Sequence, residues 1–445
     1  MHVRFWGTRG SIAKPGRTTL RYGGNTSCVE VRANDGTLLV LDCGTGAHEL
    51  SRQLVATGEV LRGSLLISHT HWDHIQGFPF FDPLFGEGND WEVYAPGGRR
   101  EQLEASLAAQ MSYDYHPLTL EDLTASVRFR DLTEGVFEAG SIRVTSQYLH
   151  HPALTLGYRI EADGATLVYA TDHEPHSLYP EGGRPGLELV HREDRRHVQF
   201  LEGADLVIHD AQYVLDEFPE KVGWGHTPIE RAVDYAVLAG ARRLALFHHD
   251  PDREDEALDR ISQRARERAD MASHPLEVWA AAEGQSVELS GEPAPQDSLD
   301  RPTALLSGRP PPASTVLIVE DDPDTLGILT RALEPENLRL IVAEDGRSAL
   351  EAAREEHPSL IVQELNVPGV DGLGVCRSLR NDPDPRLREV PILILTSSPL
   401  DEDGLLEIFK AGATDFLHKP LKPTLLRSRV SGWLMRTRFS QRGGH

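Results

Sequence analysis

A chain of 445 residues is too long for one ordinary hydrophobic core and predicts two or three domains. Its 39% hydrophobic and 26% charged residues are those of a globular protein, and no apolar run approaches the length of a transmembrane helix. With Asp+Glu at 69 and Lys+Arg at 45, the net charge of −24 excludes broad nucleic-acid binding by phosphate neutralisation; a small anionic substrate held through metal ions stays open. The opening MHVRFWGTRG lacks the apolar core of a signal peptide, and Cys28, Cys43 and Cys376 form no CxxC pair. Together these predict a cytoplasmic protein with ordinary buried thiols and no membrane association.

Residues 1–290 read as strands mixed with helices. VEVRA (29–33) and TLLVLDCG (37–44) are short aliphatic or β-branched runs around an NDG turn. SLLISHTHWDH (64–74) is an apolar strand that runs directly into polar residues. SIRVTSQYL (141–149), TLGYRIEADGATLVYATD (155–172) and ADLVIHDAQ (204–212) have the same style, and the last two carry an acidic residue at a strand end. TPIERAVDYAVLAGA (227–241) is helical by periodicity, with Pro228 suited to a first turn and Gly240 to an end. RRLALFHHD (242–250) is a further strand ending in polar groups. GEPAPQDSLDRPTALLSGRPPPAS (291–314) is proline-rich with little apolar patterning and predicts an interdomain linker. Residues 315–440 restart with TVLIVEDD. Strands at 340–342, 359–364, 390–398 and 414–420 then alternate with helical patterns at 325–334, 347–356, 372–380, 402–411 and 421–437. Five such units predict a doubly wound parallel sheet, so the whole chain is read as α/β.

HTHWDH (69–74) carries the strongest chemical signal. Alternate residues of an extended segment point the same way, so His69 and His71 can share one ion while the turn carries Asp73 and His74 toward a second. Imidazole and carboxylate without thiolate suit Zn²⁺, and also Mn²⁺ or Fe²⁺. Further polar strand ends lie at the pair His150 and His151, at Asp172, and at the pair His248 and His249. FWGTRGS (5–11) and RYGGNTS (21–27) are read as tight turns near the rim of a site. His48, His173 and His176 receive no role.

The order HxHxDH, His, Asp, His resembles the metallo-β-lactamase superfamily over about residues 1–290. FWGTRGSIA, RYGGNTSCVEV and LDCGTG resemble its branch of ribonuclease Z-like and phosphodiesterase-like hydrolases. The resemblance implies an αββα sandwich of two mixed sheets with two divalent metal ions, Zn²⁺ first, at the sheet edges. By position, His69, His71 and His151 would hold one ion, Asp73, His74 and His248 the other, and Asp172 would bridge them; Asp73 is counted also among the catalytic residues. Such a pair polarises the scissile group and activates a water. Within the two histidine pairs the family pattern favours His151 and His248, leaving His150 behind the site or exposed and His249 lining the pocket. Asp210 in VIHDAQY and His226 in GWGHTP match an acidic residue and a histidine that work together in the ribonuclease Z-like branch. His226 is then a general acid for a leaving alkoxide, oriented by Asp210; the competing reading is a helix cap or structural residue. His209 is read as structural. No long basic arm stands in the chain, and 174–203 is short with mixed charge, so tRNA is disfavoured against a small nucleotide-like phosphodiester. A lactone or thioester hydrolase, or a signalling adaptor with a vestigial metal domain, is the alternative. A flavodiiron oxidoreductase fits less well, since His71 stands where that group has Glu.

VLIVEDDPDT, SLIVQELNVPGVDG, ILILTSS and DFLHKP resemble a response-regulator receiver domain across about residues 314–437. The resemblance implies a (βα)5 fold in which Glu320 and Asp321 match the acidic pair that holds Mg²⁺. Thr396 matches the phosphate-contacting hydroxyl, Lys419 the lysine and Phe416 the aromatic switch. The phosphoacceptor position departs from the pattern, with Glu364 in place of Asp, and this puts both phosphorylation and Mg²⁺ binding in question. One extra methylene carries the carboxylate toward the space of a phosphoryl group, so Glu364 either imitates the phosphorylated state or pairs with Lys419. The domain is then expected to regulate in a locked state, or to dock a protein partner or a second copy, without ordinary aspartyl phosphorylation.

Overall fold

The segments read as strands near 29–33, 37–44 and 64–74 lie side by side in one sheet of the computed structural model. The structure describes residues 1–97, 102–176, 189, 191–272, 274–291, 305, 314–334, 338–397 and 402–440. Two compact units emerge. One comprises Met1–Pro175 and Arg195–Gly308 with Gly182–Glu188; the other comprises Arg309–His445 with His176–Glu181 and Leu189–Asp194.

In the first unit, seven strands form a sheet in the order Ser286–Glu288, His2–Gly7, Cys28–Arg32, Leu38–Leu41, Arg62–Leu66, Asp90–Pro96, Ser126–Leu132. A second seven-stranded sheet runs Glu277–Ala280, Arg243–Phe247, Leu206–Asp210, Ala165–Ala170, Leu156–Ala162, Ile142–Tyr148, Gly135–Ala139. Both are mixed, with antiparallel and parallel pairs in each. The sheets face one another: the Phe5 and Phe247 rings are 6.2 Å apart, those of Tyr94 and Phe137 4.9 Å, and the Tyr158 hydroxyl donates to the Ile67 carbonyl at 2.7 Å. Helix Ala47–Ala56 buries Leu50 and Leu54 with Phe78, Phe81 and Trp91 against the first sheet. Helices Ile229–Leu238 and Asp255–Asp270 cover the second. The result is an αββα sandwich. LLVL, ATLVYA and LVIHD are buried at every position because both faces of these central strands are covered.

Parallel strands ending at one sheet edge place the site. Ala165–Ala170, Leu206–Asp210 and Arg243–Phe247 end together, delivering Asp172, Asp210 and His248; Leu38–Leu41 and Arg62–Leu66 deliver Asp42 and His69. The apolar strand expected to run into the polar residues spans Arg62–Leu66; the Ile67 N–H still reaches the Tyr94 carbonyl at 2.8 Å, the Ser68 N–H is taken by the Asp42 carboxylate at 2.6 Å, and Trp72–Ile75 turns into a short helix. The helix expected over 227–241 spans Ile229–Leu238; Pro228 stays extended before it, and Gly240 at φ 62° ends it.

The second unit carries a five-stranded parallel sheet in the order Arg339–Ala343, Thr315–Val319, Leu360–Glu364, Ile392–Thr396, Asp415–His418, with helices between its strands. Most of the expected linker lies outside the described residues; Leu305 within it makes an isolated antiparallel bridge with Leu132. The three cysteines are free and buried, and burial pushes the Cys28 thiol well up and Cys376 to about 12. Among the described residues no helix is long and apolar enough to cross a membrane.

Candidate metal centre

Seven side chains from four loops meet at the shared edge. His69, His71, His151 and Asp172 form one group, and Asp73, His74 and His248 another; the donor atoms within each lie within 4.8 Å of one another. In the first group, His151 Nε2 is 3.1 Å from His71 Nδ1, and Asp172 Oδ2 is 3.6 Å from His69 Nε2 and 3.7 Å from His151 Nε2. In the second, His248 Nε2 lies 3.0 Å from Asp73 Oδ2 and 3.2 Å from His74 Nε2. Asp172 Oδ1 is 3.3 Å from each of those two imidazole nitrogens. One carboxylate therefore turns an oxygen to each group.

The donor set fits a pair of cations. Tetrahedral bonds of about 2.0–2.1 Å put donor atoms roughly 3.3 Å apart, which is the spacing found here. His69 Nε2 is buried without a hydrogen bond among the described residues, as a nitrogen reserved for a metal would be. Burial, with neighbouring imidazoles, holds His69 and His151 well below the usual histidine range, so both are neutral donors. Burial opposes the charge of Asp172, yet His248, His74 and His69 hold it well below the usual carboxylate range.

A surrounding layer aims these donors. Asp42 Oδ2 accepts from His74 Nδ1 at 2.8 Å, which directs the Nε2 lone pair of His74 inward. The same carboxylate accepts from the Ser68 N–H and hydroxyl and from the Tyr169 hydroxyl at 2.6, 2.9 and 2.7 Å. His248 Nδ1 is paired with Gln212 Oε1 at 3.0 Å, His151 Nδ1 with the Gly225 carbonyl at 2.9 Å, and the Ser11 N–H donates to Asp73 Oδ2 at 2.7 Å. Asp42, Gln212 and Ser11 were not singled out from sequence; the acidic end of LLVLD, matching the ends of ATLVYATD and LVIHD, is the signal that could have marked Asp42. Asp42, Asp172 and His248 all adopt positive φ of 55–58°, a strained conformation costing of order 1–3 kcal/mol each, which the surrounding bonds hold in place. Gly10 is needed for close approach: a Cβ there would come within 2.4 Å of the His248 ring. We predict that Asp42→Asn weakens metal affinity roughly 10–100-fold while leaving the fold intact, measurable by chelator competition; unchanged affinity would show that Asp42 only supports packing.

The histidine pairs resolve geometrically. His150 turns its Nδ1 to the Glu174 carbonyl at 2.8 Å, and His151 joins the metal group. His248 faces the group, whereas His249 Nε2 pairs with the Ala281 carbonyl at 2.9 Å and so does not line the pocket as expected. His226 Nδ1 is 3.0 Å from Asp210 Oδ2 and 3.9 Å from Asp172 Oδ2. Burial opposes its charge, but the Asp210 carboxylate raises it to about 9. Asp210 is itself fixed by the N–H groups of His173, Thr227 and Gln212. His209 points away, its Nε2 2.8 Å from that of His197.

Residues 37–249 match the Beta-lactamase superfamily domain, and 316–431 match the Response regulator receiver domain. A ribonuclease Z of Natronomonas pharaonis is 30% identical, over 56% of this chain and 86% of its own length. The chain belongs to the metallo-β-lactamase superfamily. In its C-terminal receiver domain it is 40% identical to the DNA-binding response regulator MtrA of Mycolicibacterium smegmatis, covering 27% of this chain and half of the regulator's length. Among solved structures, a diphosphatase from the PhnP family is 18% identical with a TM-score of 0.45, over 65% of this chain and 97% of its own.

In the receiver domain, Lys419 Nζ lies 2.9 Å from Glu320 Oε2 and 2.5 Å from Glu364 Oε2. Burial works against the ammonium, but the two carboxylates hold Lys419 above its usual range. Glu364 Oε1 also accepts from the Leu365 N–H at 2.9 Å. Of the remaining positions, Asp321 is exposed, Thr396 is buried at the end of its strand, and Phe416 packs 6.0 Å from Phe409.

Proposed function

We propose that the N-terminal domain is a dinuclear metal-dependent phosphodiesterase acting on a small nucleotide-like substrate. The observation that carries the reading is the bridging position of Asp172, one oxygen toward each donor group, with the His226–Asp210 pair beside it. Two bound divalent cations, Zn²⁺ foremost, would polarise a phosphoryl group and make a water nucleophilic. The chain's own residues do the rest. His69, His71, His151, Asp73, His74 and His248 would hold the ions and Asp172 would bridge them, while Asp42, Gln212 and the Gly225 carbonyl orient the imidazoles. His226 donates a proton from Nε2 to the departing oxygen, since Asp210 occupies Nδ1.

The test is turnover by the full chain, loaded with Zn²⁺ or Mn²⁺, across bis(p-nitrophenyl) phosphate, a lactone, a thioester and a precursor tRNA. Phosphodiester hydrolysis dependent on two metals supports the reading. Preference for the lactone or thioester overturns the substrate class, and selective processing of the tRNA overturns the small-substrate part. Two metals bound without turnover of any ester would favour an adaptor.

For the receiver domain we infer a locked state without aspartyl phosphorylation, the Glu364 carboxylate occupying Lys419. Acetyl phosphate with Mg²⁺ is expected to leave no acyl phosphate on the native chain; stable label at residue 364 would sink this. Such a domain acts through a protein partner or a second copy.

A further inference from the structure

Two of the six tryptophans are strongly exposed, Trp72 at 70% and Trp224 at 56%, and both border the metal centre. Trp72 stands between His71 and Asp73, on the turn that carries both. Trp224 precedes Gly225, whose carbonyl is 2.9 Å from His151 Nδ1, while His151 Nε2 is 3.1 Å from His71. One imidazole thus links the two turns. His71 is itself exposed, so the centre opens to solvent on this side.

The Trp224 turn is built rather than loose. The buried Glu174 carboxylate accepts from the N–H of Gly223 at 2.8 Å and of Gly225 at 2.7 Å. Both glycines hold positive φ, 88° and 91°. Backbone bonds to a buried charge, and two conformations that favour glycine, are committed to a turn whose central side chain is a solvent-facing indole. A large exposed apolar ring at a site mouth is a surface for a ligand.

Charge points the same way. Residues 1–290 contain two lysines, Lys14 and Lys221, in a chain of net charge −24. Lys14 pairs with Asp252 at 3.5 Å. Lys221 has no ion pair among the described residues; its Nζ lies 4.6 Å from the Trp224 ring centre and 5.5 Å from that of Tyr213, whose ring is 5.8 Å from His226. Two aromatic faces flank the cation, and one of them, Tyr213, also lies against the candidate proton donor, so Lys221 stands on the site's rim where it can meet an anion.

We propose that Trp72, Trp224 and Lys221 form a recognition rim for a planar base and its phosphate, making the substrate a nucleotide-type phosphodiester. This rests on the phosphodiesterase reading and names its specificity. The rings take the base by stacking, and Lys221 takes phosphate charge.

The metal-loaded full chain and its W72A, W224A and K221M variants test this in two ways, after circular dichroism and metal content confirm folding. In calorimetry, adenosine 5′-monophosphate should bind roughly 10-fold or more tightly than ribose 5-phosphate, and W224A or W72A should shrink that difference. K221M should weaken both ligands. In kinetics, the kcat/KM preference for thymidine 5′-(p-nitrophenyl) phosphate over methyl p-nitrophenyl phosphate should fall roughly 10-fold in W224A. Equal binding of the two monophosphates, or an unaltered preference in both tryptophan variants, overturns the rim while leaving the hydrolase standing. Base-dependent binding without turnover of either ester overturns the hydrolase and leaves the rim.

Discussion

Asp172→Ala is expected to lower bis(p-nitrophenyl) phosphate turnover by at least about 10³-fold, or ~4 kcal/mol of barrier, and to reduce bound metal from two ions to one or none. The size follows from the proposed bridging role. Deleting this carboxylate removes an oxygen 3.3 Å from His74 and His248 together with one 3.6–3.7 Å from His69 and His151, so neither donor group survives intact. Four buried imidazoles and the exposed one of His71, facing one another, would then lack a shared anion. Removing the carboxylate also leaves a residue at φ 55°, where alanine is strained by roughly 1–2 kcal/mol. Asp172→Asn is the companion variant, because Asn tolerates that backbone and keeps one oxygen. It should fold like the native chain and still lose most turnover. Metal analysis and steady-state kinetics on both variants read the result; two firmly held ions with near-native turnover in Asp172→Asn would refute the bridge.

His226→Ala is expected to separate substrates by their leaving groups. An alkoxide must be protonated as it departs, and a placed general acid contributes about 10²–10⁴-fold. p-Nitrophenolate leaves unassisted. The variant should therefore lose roughly 10²–10⁴-fold on an alkyl or nucleoside ester but less than about 10-fold on bis(p-nitrophenyl) phosphate. Asp210→Asn should give the same pattern in weaker form, since it frees the His226 Nδ1 partner without removing the imidazole. An equal loss on both substrates would make His226 a structural or metal-positioning residue and end its role as an acid.

The expectations differ in how far local chemistry carried them. HTHWDH could be read directly because its donors are close in sequence, and a turn after a strand permits few arrangements of four side chains. The choice between His150 and His151, or His248 and His249, turns on which neighbour points across the sandwich, and the chain alone leaves that to the family pattern. His249 shows the cost: expected at the pocket, it faces the Ala281 carbonyl. Asp42 escaped notice because its role exists only through a partner 32 residues away, and Ser11 because it contributes a backbone N–H, which no side-chain pattern reports.

Residue type, hydrophobic period and short-range spacing by themselves determined the central strands, the (βα)5 pattern and receiver motifs with Glu364 in the acceptor place, and the HTHWDH donors, because each is a property of a few consecutive residues; outer strands such as Asp90–Pro96 and Ser126–Leu132 carried no such signal. Tertiary structure alone decided which oxygen of Asp172 meets which histidines, which imidazole of each pair turns inward, and that Lys419 reaches Glu364. Those facts depend on strand ends and loops far apart in the chain being brought within about 3–4 Å, and so on sheet pairing and packing that no local pattern encodes.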